Sequence, residues 1–284
     1  MNFHKIIVLT AIALIAFAAN SVLCRLALAN TNIDPSSFTA IRMTSAALCL
    51  LFICLIQGKI ALITKVGGYR SAVCLFTYAI LFSFSYKELA TATGALLLFA
   101  AVQFTMLILA AIKGDRFSFK QWLGFALAVF GILYLFLPQA SPPPLMFGSM
   151  MIGAGIAWGA YSLLGKQAGD PTVVSAANFL RTLPMMLVCL IIFADELVWH
   201  PLGMFYALLS GIFASGMGYA VWYAMLPHIR ASSAASLQLS VPVIASVGGL
   251  ILLDEAITWA LLCASVMILG GIALIITKAR PASR

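Results

Sequence analysis

Charge is what this sequence has least of. Of its 284 residues only 8% are charged, 16 of them lysine or arginine and 8 aspartate or glutamate, against the roughly 25% usual in a soluble domain. A fold that must wet its whole surface is therefore excluded. The acidic residues sit in predicted loops or at helix ends, so no carboxylate pair or proton relay is placed inside an apolar span. The three histidines, His4, His200 and His228, also fall at predicted helix ends. No Walker motif, dinucleotide fingerprint or His-Glu-x-x-His occurs. Together these absences exclude an enzyme and a cofactor site. The six cysteines, Cys24, Cys49, Cys54, Cys74, Cys189 and Cys263, form no Cys-x-x-Cys pair, which excludes a metal cluster and a disulfide framework and leaves them as small buried residues.

What the chain has is hydrophobic length. With 63% hydrophobic residues and a mean hydropathy of +1.10, it reads as an all-α integral membrane protein. Crossing a bilayer takes about 20 helical residues. Ten stretches serve: 6–25, 36–57, 68–86, 90–112, 121–137, 145–166, 172–194, 202–226, 231–253 and 257–277. Met1 to Lys5, an apolar run and Ala16-Phe17-Ala18 have the outline of a signal peptide. The run continues past that point, which favours a retained helix. With an inside N-terminus, twelve basic residues fall in inside segments and two, Arg25 and Lys87, outside. Both termini are thus expected in the cytoplasm. The net charge of +8 reports this topology; the basic residues form no patch with interleaved aromatics for nucleic acid.

The chain also repeats itself at a spacing of about 140 residues. Residues 15–25 lie over 156–166, Asp34-Pro35 matches Asp170-Pro171, and 92–135 lie over 231–274 without gaps. Five spans per half is an odd number, so the halves enter the membrane from opposite sides. The expected organisation is a first five-helix repeat at 1–138, a proline-rich linker at 139–144 and a second repeat at 145–284. Such inverted halves closing alternately around one midplane site are the construction of a secondary carrier.

Two arginines lie inside spans. Arg42 follows Pro35 by seven residues and Arg181 follows Pro171 by ten, about 10 to 15 Å deep at 1.5 Å per residue. A charge there costs about 2.5 to 3.5 kcal/mol on insertion scales. It either snorkels to the nearer interface or packs against helix-end carbonyls, or it attracts the carboxylate of a solute. Aromatic residues gather on helices that the repeat pairs: Phe17 over Trp158, Tyr78 over Tyr219, Phe82 over Tyr223, with Asn20 over Tyr161. Phe99 and Gln103 lie over Gln238 and Pro242. The amides of Asn20, Gln103, Asn178 and Gln238 are costly against lipid and should face the interior. The candidate solute site is therefore Phe17, Asn20, Arg42, Tyr78, Phe82, Phe99, Gln103, Trp158, Tyr161, Asn178, Arg181, Tyr219 and Gln238, with Pro184 and Pro242 as kinks that could gate it.

The two Asp-Pro helix starts, an arginine inside each following helix, and the run Ser236-Leu-Gln-Leu-Ser-Val-Pro-Val243 followed by Leu-Leu-Asp254-Glu255 resemble the EamA-type branch of the drug/metabolite transporter superfamily. The Trp158/Tyr161 and Tyr78/Phe82 clusters are similar to YddG-type exporters of aromatic and other neutral amino acids. The resemblance implies a basket-like bundle round a central cavity, no cofactor, and export of small zwitterionic metabolites by alternating access across a bacterial inner membrane. A broad-specificity drug or metabolite exporter of the same superfamily is the alternative. Gln103 departs from the family, which often has proline there.

Overall fold

The structure, a computed structural model, describes residues 3–112, 118–135, 143–165, 169–225, 228, 237–238 and 240–276. Among these the regular structure is helical: α1 (Phe3–Asn30), α2 (Pro35–Ile56), α3 (Tyr69–Tyr86), α4 (Thr91–Ile112), α5 (Phe119–Leu135), α6 (Leu145–Gly165), α7 (Pro171–Ile192), α8 (Pro201–Met225), α9 (Ser240–Leu253) and α10 (Trp259–Ile276). Five stretches, Ile6–Asn30, Pro35–Ile56, Leu145–Gly165, Pro171–Ile192 and Pro201–Met225, are long and apolar enough to cross a membrane. The others are shorter or less apolar over the described residues. Large apolar side chains such as Phe52, Ile56, Ile192, Val266 and Trp259 stand exposed on the outer surface, as contact with lipid demands and water would not permit at this density.

The Asp-Pro signals start helices as expected. Asp34 caps α2 by accepting from the backbone N–H groups of Ser36 and Ser37 at 2.8 and 3.0 Å. Asp170 caps α7 by accepting from Thr172 and Val173 at 3.0 and 3.2 Å. Proline at the first helical position has no N–H to leave orphaned. One boundary and one helix interior differ from the sequence reading. Helix α1 continues to Asn30, because Ala27 and Leu28 are buried against neighbouring helices, so Arg25 is a helical residue and not part of a loop. Helix α8 contains a π-helical stretch at Ser210–Met217, an irregularity no sequence signal announced. Pro184 lies inside α7, whereas Pro242 lies in the first turn of described α9. Pro227 and most of the proline-rich linker fall outside the described residues. The cysteines are free, but Cys263 is exposed on α10; a thiol is apolar enough for an outer face, so burial does not hold for all six.

The main packing runs between the first five helices and the last five. Helix α5 packs on α10, α2 on α7 and on the π segment of α8, α6 on α3 and α4, α1 on α8 and α9, and α4 on α9. Exchanging each helix for its counterpart five places along leaves most of this list unchanged. The core is consequently the seam between the halves. Small residues set its closeness: a methyl on Gly155 of α6 would stand 2.5 Å from the Leu98 carbonyl oxygen of α4.

Candidate functional site

The seam encloses a knot of aromatic rings. Trp158 of α6 packs on Tyr78 of α3 at 4.9 Å and on Tyr219 of α8 at 4.6 Å between centroids. Phe17 of α1 meets Trp158 and Tyr219 edge-on, each at 5.8 Å, and Trp222 at 5.4 Å. Phe82 stands 5.3 Å from Tyr78. These tilted and edge-on pairings suit the ring quadrupoles. Phe17, Asn20, Tyr78, Phe82, Leu98, Phe99, Trp158 and Tyr219 line a cavity of about 10 Å³, room for a single water. The site is closed in this conformation.

A polar network runs through the rings. Asn20 donates from Nδ2 to the Tyr78 hydroxyl at 3.0 Å and accepts at Oδ1 from the Ser210 hydroxyl at 2.6 Å and from Arg42 Nη1 at 3.5 Å. The Tyr219 hydroxyl donates to that of Tyr78 at 3.1 Å. Ser210 begins the π stretch, which sits against α2 because residue 211 is glycine; a methyl there would collide with the Ser45 hydroxyl and the Arg42 carbonyl.

Arg42 is 1% exposed and one layer behind the cavity wall. Its Nη2 donates to the Ala79 carbonyl at 3.2 Å. Its guanidinium lies 5.1 Å from the Phe82 ring centroid, 5.7 Å from Tyr78 and 5.9 Å from Phe38, within cation–π range. No carboxylate faces it among the described residues, and its Nε has no hydrogen-bond partner. Its burial rules out snorkelling for this residue, and its bond to Ala79 is packing against a backbone carbonyl, though in mid-helix and not at a helix end. Arg181 is different: it is half-buried, donates from Nη1 to the Ala177 carbonyl of its own helix at 3.1 Å, and with Asn178 flanks Gly67. A methyl on Gly67, whose φ is +75°, would stand 2.8 Å from both side chains.

The structure thus brings Phe17, Asn20, Tyr78, Phe82, Phe99, Trp158 and Tyr219 together, with Arg42 behind them. Tyr161 extends the knot, 5.5 Å from Trp158. Asn178 adjoins the Tyr161 hydroxyl and so borders the knot, while its Oδ1 accepts from Gly68 at 3.4 Å; Arg181 lies apart, at the entry to α3. Gln103 is buried on α4. Gln238 is buried with both amide atoms unpartnered. Sequence reasoning missed Ser210 and Trp222; the second was readable as one more aromatic on the Tyr219 helix.

A larger cavity of about 310 Å³ opens where α1 and α3 end and α4 and α10 begin. At its edge Arg25 Nε pairs with Glu255 Oε1 at 3.3 Å, while Glu255 Oε2 accepts from the Thr91 N–H at 2.8 Å. Asp254, at φ 53°, turns the chain back after α9 so that the Glu255 N–H reaches the Gly249 carbonyl at 3.2 Å and satisfies one of the carbonyls left open at the helix end. At the opposite end of α2, Lys59 Nζ pairs with Asp170 Oδ2 at 2.6 Å. Burial alone would raise the Asp170 carboxyl, but the Lys59 ammonium and the two cap amides outweigh it and hold that carboxyl below the usual carboxylate range.

Apolar helices facing outward, with an aromatic and polar cavity sealed in the seam of two similar halves, define a multi-pass membrane transport protein. The EamA-like transporter family matches over residues 4–137 and again over 146–277; the chain belongs to that family and is a transporter, not an enzyme. It is 48% identical over 276 residues to an uncharacterized protein of Pseudomonas aeruginosa, covering 97% of this chain and 96% of that one. It is 24% identical over 280 residues to a probable amino-acid metabolite efflux pump of Escherichia coli, covering 93% and 92%. An uncharacterized transporter of Bacillus subtilis is 23% identical over 257 residues, covering 85% and 87%. A solved crystal structure shares the fold with a TM-score of 0.67 at 20% identity, covering 96% of this chain and 99% of that one.

Proposed function

We propose that this transporter is a secondary carrier of the bacterial inner membrane that exports small zwitterionic metabolites, aromatic and other neutral amino acids first among them. It works by alternating access. In this reading ten spans form two inverted five-helix repeats with both termini cytoplasmic, and the seam between them opens to either side in turn. The observation that carries the reading is the aromatic cavity backed by Arg42, an unpaired cation one layer behind Asn20, Tyr78 and Phe82. The rings stack on an apolar body and the arginine draws a carboxylate. Because the cavity now has room for one water only, an amino acid enters only when the helices around it separate. The efflux-pump name of the Escherichia coli relative agrees with this substrate class.

The test is exchange of labelled phenylalanine into liposomes holding the purified protein and preloaded with unlabelled phenylalanine or leucine, at equal pH on both sides. Accelerated exchange is expected, and Trp158→Ala should slow phenylalanine more than alanine. Absence of exchange by folded protein would discard the amino-acid assignment. Competition by lipophilic cations would move the reading to a broad drug exporter.

A further inference from the structure

The charge inventory of the seam is one-sided. What surrounds the Arg42 guanidinium is neutral: the Asn20 amide, the Ala79 carbonyl and the rings of Phe38, Tyr78 and Phe82. The two ion pairs among the described residues, Arg25–Glu255 and Lys59–Asp170, lie at helix ends, and neither uses Arg42. A zwitterion brought to this cavity supplies the missing anion, but it also brings an ammonium for which no acid waits among the described residues. The guanidinium already occupies the faces of Tyr78 and Phe82, so that ammonium has only the remaining rings to lie against. A solute carrying the same ring and carboxylate without the ammonium leaves the site neutral.

We propose that the central site also carries aromatic monocarboxylate anions, the 2-oxo or 2-hydroxy counterparts of aromatic amino acids, and carries them as an electrogenic uniport. The proposal rests on the reading that the aromatic cavity is the solute site. It does not require that amino acids be the solutes. The uniport is argued from the same inventory: among the described residues no carboxylate lines the cavity, so the described lining offers none to carry a proton with the anion and cancel its charge. Each turnover then moves one negative charge, and a membrane potential alone drives the anion towards the positive side. The free energy of one charge, about 2.3 kcal/mol per 100 mV, corresponds to an accumulation of about 50-fold.

The experiment compares labelled phenylpyruvate with labelled phenylalanine in proteoliposomes of the full chain, with potentials of either sign set by valinomycin and potassium gradients. Protein-free vesicles give the leak. The expected result is phenylpyruvate accumulation on the positive side approaching about 50-fold per 100 mV, and faster entry than phenylalanine. Arg42→Gln should abolish both effects, and Arg42→Lys should retain the response to potential. Should Arg42→Gln fail to fold, the potential dependence of the unaltered protein decides alone. Phenylalanine exchange without phenylpyruvate flux, or phenylpyruvate flux that ignores the potential, overturns the proposal and leaves the amino-acid reading standing. Phenylpyruvate flux without phenylalanine exchange supports the proposal and removes the amino-acid reading. If neither solute moves, both fall.

Discussion

Asn20 uses both ends of its amide, Nδ2 donating to Tyr78 and Oδ1 accepting from Ser210 and Arg42. Replacing it by alanine would leave buried polar groups on three helices without this partner, each costing about 1 to 3 kcal/mol. Asn20→Asp is the sharper test. An aspartate there faces Arg42 at hydrogen-bond distance and supplies from within the charge that a solute carboxylate otherwise brings. The variant should fold, unfolding thermally no lower than the parent, while carboxylate solutes lose nearly all flux; retained flux would show that Arg42 does not read them. The aromatic members of this site were legible from the sequence, because counterpart residues of two similar halves meet at the seam: Phe17 with Trp158, and Tyr78 with Tyr219. The arginines were legible only in depth. Spacing along a helix gives how deep Arg42 and Arg181 lie, but direction around the axis depends on neighbours, and Arg181 turns towards Gly67.

At the scale of elements, the approach of α8 to α2 is what delivers Ser210 to Asn20, and it depends on Gly211. A methyl there meets Arg42 backbone, which cannot rotate away as a side-chain tip can. Gly211→Ala should therefore destabilise by about 1 to 3 kcal/mol and lower transport along with it. Gly270 of α10 has open space around its Cα, so Gly270→Ala should be neutral or gain up to about 1 kcal/mol from helix propensity. Thermal unfolding in detergent distinguishes the two, and equal midpoints would show that the α2 to α8 contact is slack. The Asp-Pro starts of α2 and α7 were readable because a cap is local chemistry. The π stretch was not, since it depends on how α8 fits against α2, and glycines at 211, 216 and 218 fit an ordinary helix as well.

For the whole molecule, both ion pairs join the first half to the second, one from the C-terminal part of α1, on the side of the α1–α2 turn, and one beyond the C-terminal end of α2. With both made and the cavity between them closed, each face is fastened separately, so loosening one should leave the other intact. Two native cysteines report on this. Cys54, whose carbonyl accepts from the Lys59 N–H at 2.8 Å, lies near the Asp170 end, and Cys24 adjoins Arg25; both are buried. Asp170→Asn should raise maleimide labelling of Cys54 several-fold and leave Cys24 unchanged, and Glu255→Gln should do the reverse, read by peptide mass spectrometry. Acid should imitate the first variant. The Asp170 carboxyl is held below its ordinary value, so the contribution of its pair with Lys59 is complete above the ordinary carboxylate pKa, about 3.9, and is lost as pH falls through the lower folded value. Cys54 labelled at neutral pH after acid exposure would not address this. The comparison must be made at the acid pH itself, with a thiol reagent such as a pyridyl disulfide that still reacts there. Labelling that rises equally at both cysteines in either variant would mean that the two faces open as one, and a carrier built that way would leak.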